Sequence, residues 1–166
     1  MTPLEDTLRE LDGTSTDPLS ELGKTLGDQP AVLSGLIRLA DHDAEPISDR
    51  ATWLLLDLLR HDVRLTRTQT GDLVDRLAGI TSWQAQLHIC QSGAYLDVTA
   101  AEATIIADWL TPMLRSKRPF LRAWSMDALQ HLAAHRSDMI ERAEAALQAA
   151  EQDPAASVRA RARHWR

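Results

Sequence analysis

The chain is poor in cysteine and in aromatic residues, with one Cys, one Phe and one Tyr among 166 residues. Because Cys90 is the only cysteine, an internal disulfide is excluded, as is usual for proteins of a reducing compartment. The first residues include neither a basic region nor an apolar core, so we expect no signal peptide. The strongest apolar run, residues 53–59, is interrupted by Asp57 and is too short to span a bilayer. We therefore expect a cytoplasmic protein that makes no contact with membranes.

The β-branched residues are also sparse, whereas leucine and alanine dominate the 44% of residues that are hydrophobic. That balance favours helices over strands. The length suits one domain or one short array of repeats, with enough residues to bury a core. We therefore predict an all-α fold.

Charge is distributed unevenly along the chain, whose net charge is −6. Residues 1–62 carry −8, residues 63–110 carry −2 and residues 111–166 carry +4. The acidic majority disfavours nucleic acid as a partner, because phosphate binding needs clustered Lys and Arg. The basic last third instead predicts a partner that is acidic where it meets the C-terminal half.

One four-point pattern recurs four times, and it is the most informative feature of the chain. Each copy starts with an apolar leader, and small or apolar residues follow four and seven positions later and, in the first three copies, also eleven positions later. The leaders Ile47, Trp83, Leu121 and Val158 are separated by 36, 38 and 37 residues. The positions that follow them are Ala51, Leu54 and Leu58; Leu87, Cys90 and Ala94; Ser125, Ala128 and Leu132; Ala162 and Trp165. A period in this range indicates a helical solenoid, in which each unit buries its apolar face against its neighbours.

Turn residues divide the chain into N-terminal capping helices and a repeat array. The capping helices occupy residues 1–27, and the array from residue 28 to residue 166 has four helix–turn–helix units, over residues 28–62, 66–96, 99–136 and 137–166.

Three local signals refine the helix boundaries. Thr99 and Glu102 have the spacing of a capping box. Pro112 should kink or shorten the last turn of a helix that we predict from residue 100 to residue 114. Either Ser137 or Asp138 should cap the first helix of the last unit.

The segment 121–132 resembles the second helix of a HEAT repeat, in which an apolar residue is followed by Arg, then by small residues and a closing Leu. Residues 158–162 match the beginning of that helix, whereas Ser48 and Gln84 replace the Arg in the first two units. The resemblance covers residues 28–166 and implies an armadillo-like α–α superhelix, that is, a HEAT-like solenoid. It also implies that the second helices line a concave face, which binds the partner.

On this face we predict a binding surface for a protein or peptide partner. The residues that we assign to it are Trp124, Arg122, Asp127, His131, Asp57 and Arg60. An exposed Trp beside an Arg has the composition of an interface hot spot, although burial of Trp124 against the adjoining helix is an equal alternative. Trp53, Trp83 and Trp109 lie in apolar helical patterns, and we predict that they belong to the core.

A basic patch at the C-terminal end is the second candidate for binding. It consists of Arg115, Lys117, Arg118, Arg159, Arg163 and Arg166. The patch predicts an anion or an acidic partner, and the alternative is that these cations are solvated and stabilise helix C-termini. No capping helix follows the last unit in the sequence, so we also expect that its apolar end supports a homodimer.

We predict no metal, no cofactor and no enzymatic activity. Asp127, His131 and His135 form a stripe with a spacing of four, but the stripe spans roughly 12 Å, too far for one ion. The acidic turn at residues 41–45 lacks the Gly and Glu of a calcium loop. No nucleophile elbow, phosphate loop or dinucleotide fingerprint is present, and Cys90 falls at an inward position that predicts burial.

The alternative function is enzymatic. Alkylpurine DNA glycosylases built from HEAT-like repeats use Trp, Asp and Arg on a basic concave surface. The spacing of Trp53 and Asp57 resembles theirs, and Arg122 would supply the Arg. Since the first unit is acidic, a phosphate backbone would be repelled, and this disfavours the alternative.

Overall fold

The computed structural model describes residues 2–11, 15–27 and 29–166. These residues form ten α-helices and no strand, which confirms the all-α prediction for the described part of the chain. Residue 28, where we place the start of the array, lies outside the described residues. The helices are α1 Pro3–Glu10, α2 Asp17–Leu26, α3 Pro30–Leu39, α4 Glu45–Arg60, α5 Arg67–Arg76, α6 Trp83–Ser92, α7 Ala100–Leu110, α8 Pro119–His135, α9 Ile140–Glu151 and α10 Ala156–Arg163.

The chain forms two compact units, residues 1–88 and residues 89–166. In the first unit, α4 packs against α1, α2 and α3, and the core consists mainly of leucines such as Leu36, Leu54 and Leu55. In the second unit, α8 packs against α7, α9 and α10 around Met126 and Leu129. The core of each unit is therefore aliphatic, as the composition predicts. None of the described helices has the length and apolarity that a membrane span requires.

Proline and threonine define several helix starts. A proline occupies the first turn of α1, α2, α3, α4 and α8, where its missing N–H costs no helical hydrogen bond. The predicted capping box of α7 is confirmed, because Thr99 accepts from the N–H of Glu102 and Glu102 accepts from the N–H of Thr99. A second capping box, which we did not predict, starts α5 with Thr66 and Gln69.

Two predicted boundaries are corrected. The helix before Pro112 ends at Leu110 rather than at residue 114, and the short 3-10 turn Met113–Arg115 follows it. Neither Ser137 nor Asp138 caps α9, since both lie in another 3-10 turn that ends at Met139. The carboxylate of Asp138 instead lies 3.1 Å from the guanidinium of Arg136, which lowers the pKa of Asp138.

The inward positions of the repeat pattern are buried in copies one and three. Ala51 and Ser125, which hold the small-residue position, are fully buried, and so is Ala162 in the last copy. The second copy departs, because α6 ends at Ser92 and Ala94 falls in an exposed 3-10 turn, Gly93–Tyr95. That turn approaches α8 so closely that a Cβ on Gly93 would lie 3.3 Å from the Cβ of Ala128.

The prediction that Trp53, Trp83 and Trp109 belong to the core is wrong, since each is only half-buried. Trp124 and Trp165 are half-buried as well. All five tryptophans therefore lie at the boundary between core and solvent, because leucine and alanine already fill the interior.

Side chains one repeat apart contact each other within each unit. In the first unit, Nδ1 of His88 lies 3.0 Å from Oγ1 of Thr52, 36 residues away in sequence. In the second unit, the guanidinium of Arg161 lies 3.8 Å from the ring centroid of Trp124, which stands 37 residues earlier. Equivalent positions of α4 and α6 therefore lie side by side, and so do equivalent positions of α8 and α10.

Candidate functional site

Five side chains of the second unit form what we call the Trp–Arg cluster. The cluster consists of Trp124, Asp127 and His131 from α8, Arg161 from α10, and Trp165, which lies two residues after the end of α10. The spacings of three and four on α8 place its three members on one face of that helix. Since α8 and α10 pack against each other, this face meets the side chains of the last helix.

Asp127 is the centre of the cluster and is only 3% exposed. Nε1 of Trp165 donates a hydrogen bond of 2.8 Å to Oδ1, and Nη1 of Arg161 lies 3.6 Å from the same oxygen. Nε2 of His131 lies 3.4 Å from Oδ2, which is longer than an ordinary hydrogen bond. Burial by itself would raise the pKa of Asp127, but His131, Trp165 and the charge of Arg161 outweigh it and hold the pKa below its usual value. The buried carboxylate is therefore charged and fixes its three neighbours.

The other members of the cluster present rings and cations to solvent. The guanidinium of Arg161 stacks over Trp124 in a cation–π contact. The ring of His131 meets that of Trp165 edge-on, with centroids 4.7 Å apart and an interplanar angle of 82°. The side chains of Arg161 and His131 are 30% and 31% exposed. The result is a partly exposed aromatic and cationic surface whose side chains are joined to one another by hydrogen bonds, ion pairs and ring contacts.

Arg122 lies on the opposite side of α8 from the cluster, because two and five residues along a helix correspond to rotations of about 200° and 140°. Its Nε and Nη2 donate hydrogen bonds of 2.7 and 2.8 Å to the two carboxylate oxygens of Asp153, and Nη1 donates to the carbonyl oxygen of Ser116. The hydrogen bond to Arg122 lowers the pKa of Asp153 and raises that of Arg122. Arg122 therefore joins the loop before α8 to the loop before α10.

Arg159 repeats this arrangement on α10. Its Nη1 donates to the carbonyl oxygen of Asp153, six residues earlier, as Arg122 does to Ser116. The Arg of the repeat pattern thus holds the turn at the start of its own helix.

The remaining predicted residues have separate positions. Asp57 and Arg60 lie on α4 in the first unit, where Asp57 is half-buried and Arg60 is exposed. In the basic patch, five residues are exposed, namely Arg115, Lys117, Arg118, Arg163 and Arg166, and the last of these forms an ion pair with Glu151. His135 is exposed at the end of α8, and among the described residues no three His, Cys, Asp or Glu side chains are grouped as metal ligands.

The first unit has a cleft of 510 Å³ whose lining includes Asp49, Arg50, Trp53 and His88. The carboxylate of Asp49 accepts hydrogen bonds from Ser82 and from the N–H of Ala85, 3.2 Å away, and so caps the N-terminus of α6. Burial raises the pKa of Asp49.

Burial also lowers the pKa of His88 to about 4, and the charge of Arg60 acts in the same direction. Asp49 and His88 line this cleft, and their hydrogen bonds join α4 to α6.

Sequence reasoning assigned Trp124, Asp127 and His131 to one binding surface but missed Arg161 and Trp165. The repeat period contained the missing signal. Arg161 stands 37 residues after Trp124 and Trp165 stands 38 residues after Asp127, so each is one period from its partner.

In the comparisons with known proteins, no family model, no curated protein and no solved structure matches this chain.

Proposed function

We propose that the protein is a non-enzymatic binding module that recognises a protein or peptide through the Trp–Arg cluster. The observation that carries the proposal is the arrangement around Asp127, whose buried charge positions Trp165, Arg161 and His131. Arg161 in turn stacks on Trp124, so that two half-buried tryptophans belong to one connected group. Trp and Arg are the residues that most often dominate the energy of protein interfaces.

The rigidity of the cluster supports binding. A side chain that is already fixed loses little conformational entropy when a partner covers it, whereas a mobile one costs about 0.5–1.5 kcal/mol. Trp165 is fixed by its hydrogen bond and Trp124 by the stacked guanidinium. In the cluster, the carboxylate of Asp127 serves to position its neighbours, which favours binding over catalysis.

The proposal includes a HEAT-like arrangement of the helix pairs α3–α4, α5–α6, α7–α8 and α9–α10. The contacts between residues 36 and 37 positions apart support it, since successive units of a solenoid touch through equivalent positions. In such an array α8 and α10 are second helices, and their shared face carries the cluster.

A selection for peptides tests the proposal. A random peptide library is panned on the wild-type protein, and the affinity of the enriched peptides is measured by isothermal titration calorimetry. We expect that Trp124→Ala and Arg161→Gln each weaken binding by at least about tenfold, the loss typical of a hot spot. Trp109→Ala is the matched control, because it removes another half-buried tryptophan of the same unit that lies outside the cluster.

Two outcomes would contradict the proposal. One is that Trp109→Ala weakens the selected peptides as much as Trp124→Ala does. The other is tight, salt-dependent binding to a DNA duplex, which would favour the glycosylase-like alternative. The predicted homodimer stays a separate prediction, and a monomer mass in light scattering at micromolar concentrations would contradict it.

A further inference from the structure

The second unit has a groove on the face of α8 that lies opposite the Trp–Arg cluster. It has a volume of 390 Å³, and α9 forms its other wall. We call it the arginine groove, because Arg115, Arg122 and Arg142 stand around an apolar floor. The side chains of this floor that reach solvent are Leu114, Ala145 and Ala149. A groove of this size accommodates one or two apolar side chains of a partner.

The charge around the arginine groove is unbalanced. Arg122 is neutralised by Asp153, the one acidic residue of the described lining. Arg142 pairs at 2.8 Å with Asp108, but that carboxylate is 68% exposed, so a carboxylate of a partner can replace it. Arg115 is exposed, and within the described residues no ion pair involves it.

The sequence around the groove adds further positive charge. Residues 109–126 include four basic residues and no acidic one. This stretch covers the 3-10 turn Met113–Arg115 and the first half of α8, which form one side of the groove. The net charge of this side of the groove is therefore positive, although the whole chain has a net charge of −6.

We infer that the arginine groove binds an acidic segment of a partner protein, with a leucine-sized side chain on the apolar floor and carboxylates on Arg115 and Arg142. This inference goes beyond the proposed function, because the groove and the Trp–Arg cluster lie on opposite faces of α8. A nucleic acid fits less well, since residues 89–166 carry ten basic and nine acidic side chains and the floor of the groove is apolar.

The test uses two fluorescein-labelled peptides and the intact chain of 166 residues. The first peptide repeats the sequence Glu-Glu-Leu-Leu, and the second has Gln in place of every Glu. Binding is measured by fluorescence anisotropy at low salt. We expect the acidic peptide to bind at least about tenfold more tightly than the Gln peptide, and its affinity to fall as the salt concentration rises.

Variants locate the binding site. Arg115→Gln should weaken the acidic peptide several-fold, and this variant should fold normally because Arg115 is exposed. Arg115→Gln combined with Arg142→Gln should reduce binding by about tenfold or more. Arg136→Gln is the matched control and should leave this affinity unchanged, because it removes the same charge from the same unit at a position that does not line the groove. Equal binding of both peptides, unchanged binding by the Arg115→Gln variant, or full displacement of the peptide by an equimolar DNA duplex would overturn the inference.

Discussion

The hydrogen bond between Trp165 and Asp127 can be tested by a double-mutant cycle of Asp127→Ala and Trp165→Phe. The 2.8 Å bond to a carboxylate that is 3% exposed should contribute about 1.5–3 kcal/mol, the range for hydrogen bonds to charged groups. Arg161 adds less than about 1 kcal/mol, because it lies 3.6 Å away and is 30% exposed. We therefore expect Asp127→Ala to cost about 3 kcal/mol and the coupling between the two substitutions to be about 1.5–2 kcal/mol.

The assay is urea denaturation of the wild type, both single variants and the double variant, followed by circular dichroism. A coupling free energy below about 0.5 kcal/mol would refute the argument, since neighbouring residues that share a strong hydrogen bond are not additive. The pH dependence gives a second check. The pKa of Asp127 is lowered in the folded protein, so its contribution is complete above the usual carboxyl pKa and is lost as the pH falls through the folded pKa. The difference in stability between wild type and the Asp127→Ala variant should therefore shrink in acid.

Three further predictions concern other contacts. Asp153→Asn should lower the free energy of unfolding by about 2 kcal/mol, because it weakens a bidentate pair in which Arg122 is only 17% exposed, and urea denaturation measures this loss. His88 has a pKa of about 4 in the folded protein, lower than its usual 6.5, so the unfolded chain binds more protons between these two pH values. The free energy of unfolding of the wild type should therefore fall by about 2–3 kcal/mol as the pH is lowered from 6.5 to 4. The variant His88→Asn should not show this loss in thermal melts recorded at several pH values. Cys90 is 2% exposed and burial raises the pKa of its thiol, so iodoacetamide should label it in urea but not in the native protein, as mass spectrometry would show.

Helix boundaries could be predicted from the sequence because the residues that determine them are close together in the chain. The spacing of Thr99 and Glu102 predicts the capping box of α7, and Pro112 predicts an early helix end. These features depend on residues within one or two turns of each other, so no knowledge of neighbouring helices is required. The burial of Cys90 also followed from its position in the repeat pattern.

The partners of the candidate site were harder to predict because they lie on another helix. The spacing of residues on α8 shows which of them share a face. The membership of Arg161 and Trp165 in the cluster depends instead on contacts between α8 and α10. The prediction that three of the tryptophans belong to the core was wrong for a similar reason. An apolar helical pattern shows that Trp109 can face the core, but it does not show that Leu and Ala already fill the space.

The five half-buried tryptophans give the protein an unusual optical property. With one Tyr and one Phe in the chain, nearly all of its near-ultraviolet absorption and emission comes from side chains at the boundary with solvent. Quenching by iodide or acrylamide should therefore reach native tryptophans in this protein, whereas the indoles of many globular proteins are shielded. For the same reason, the intensity and wavelength of native emission should respond to whatever covers the surface, while a change in the aliphatic core would leave the spectrum nearly unaltered.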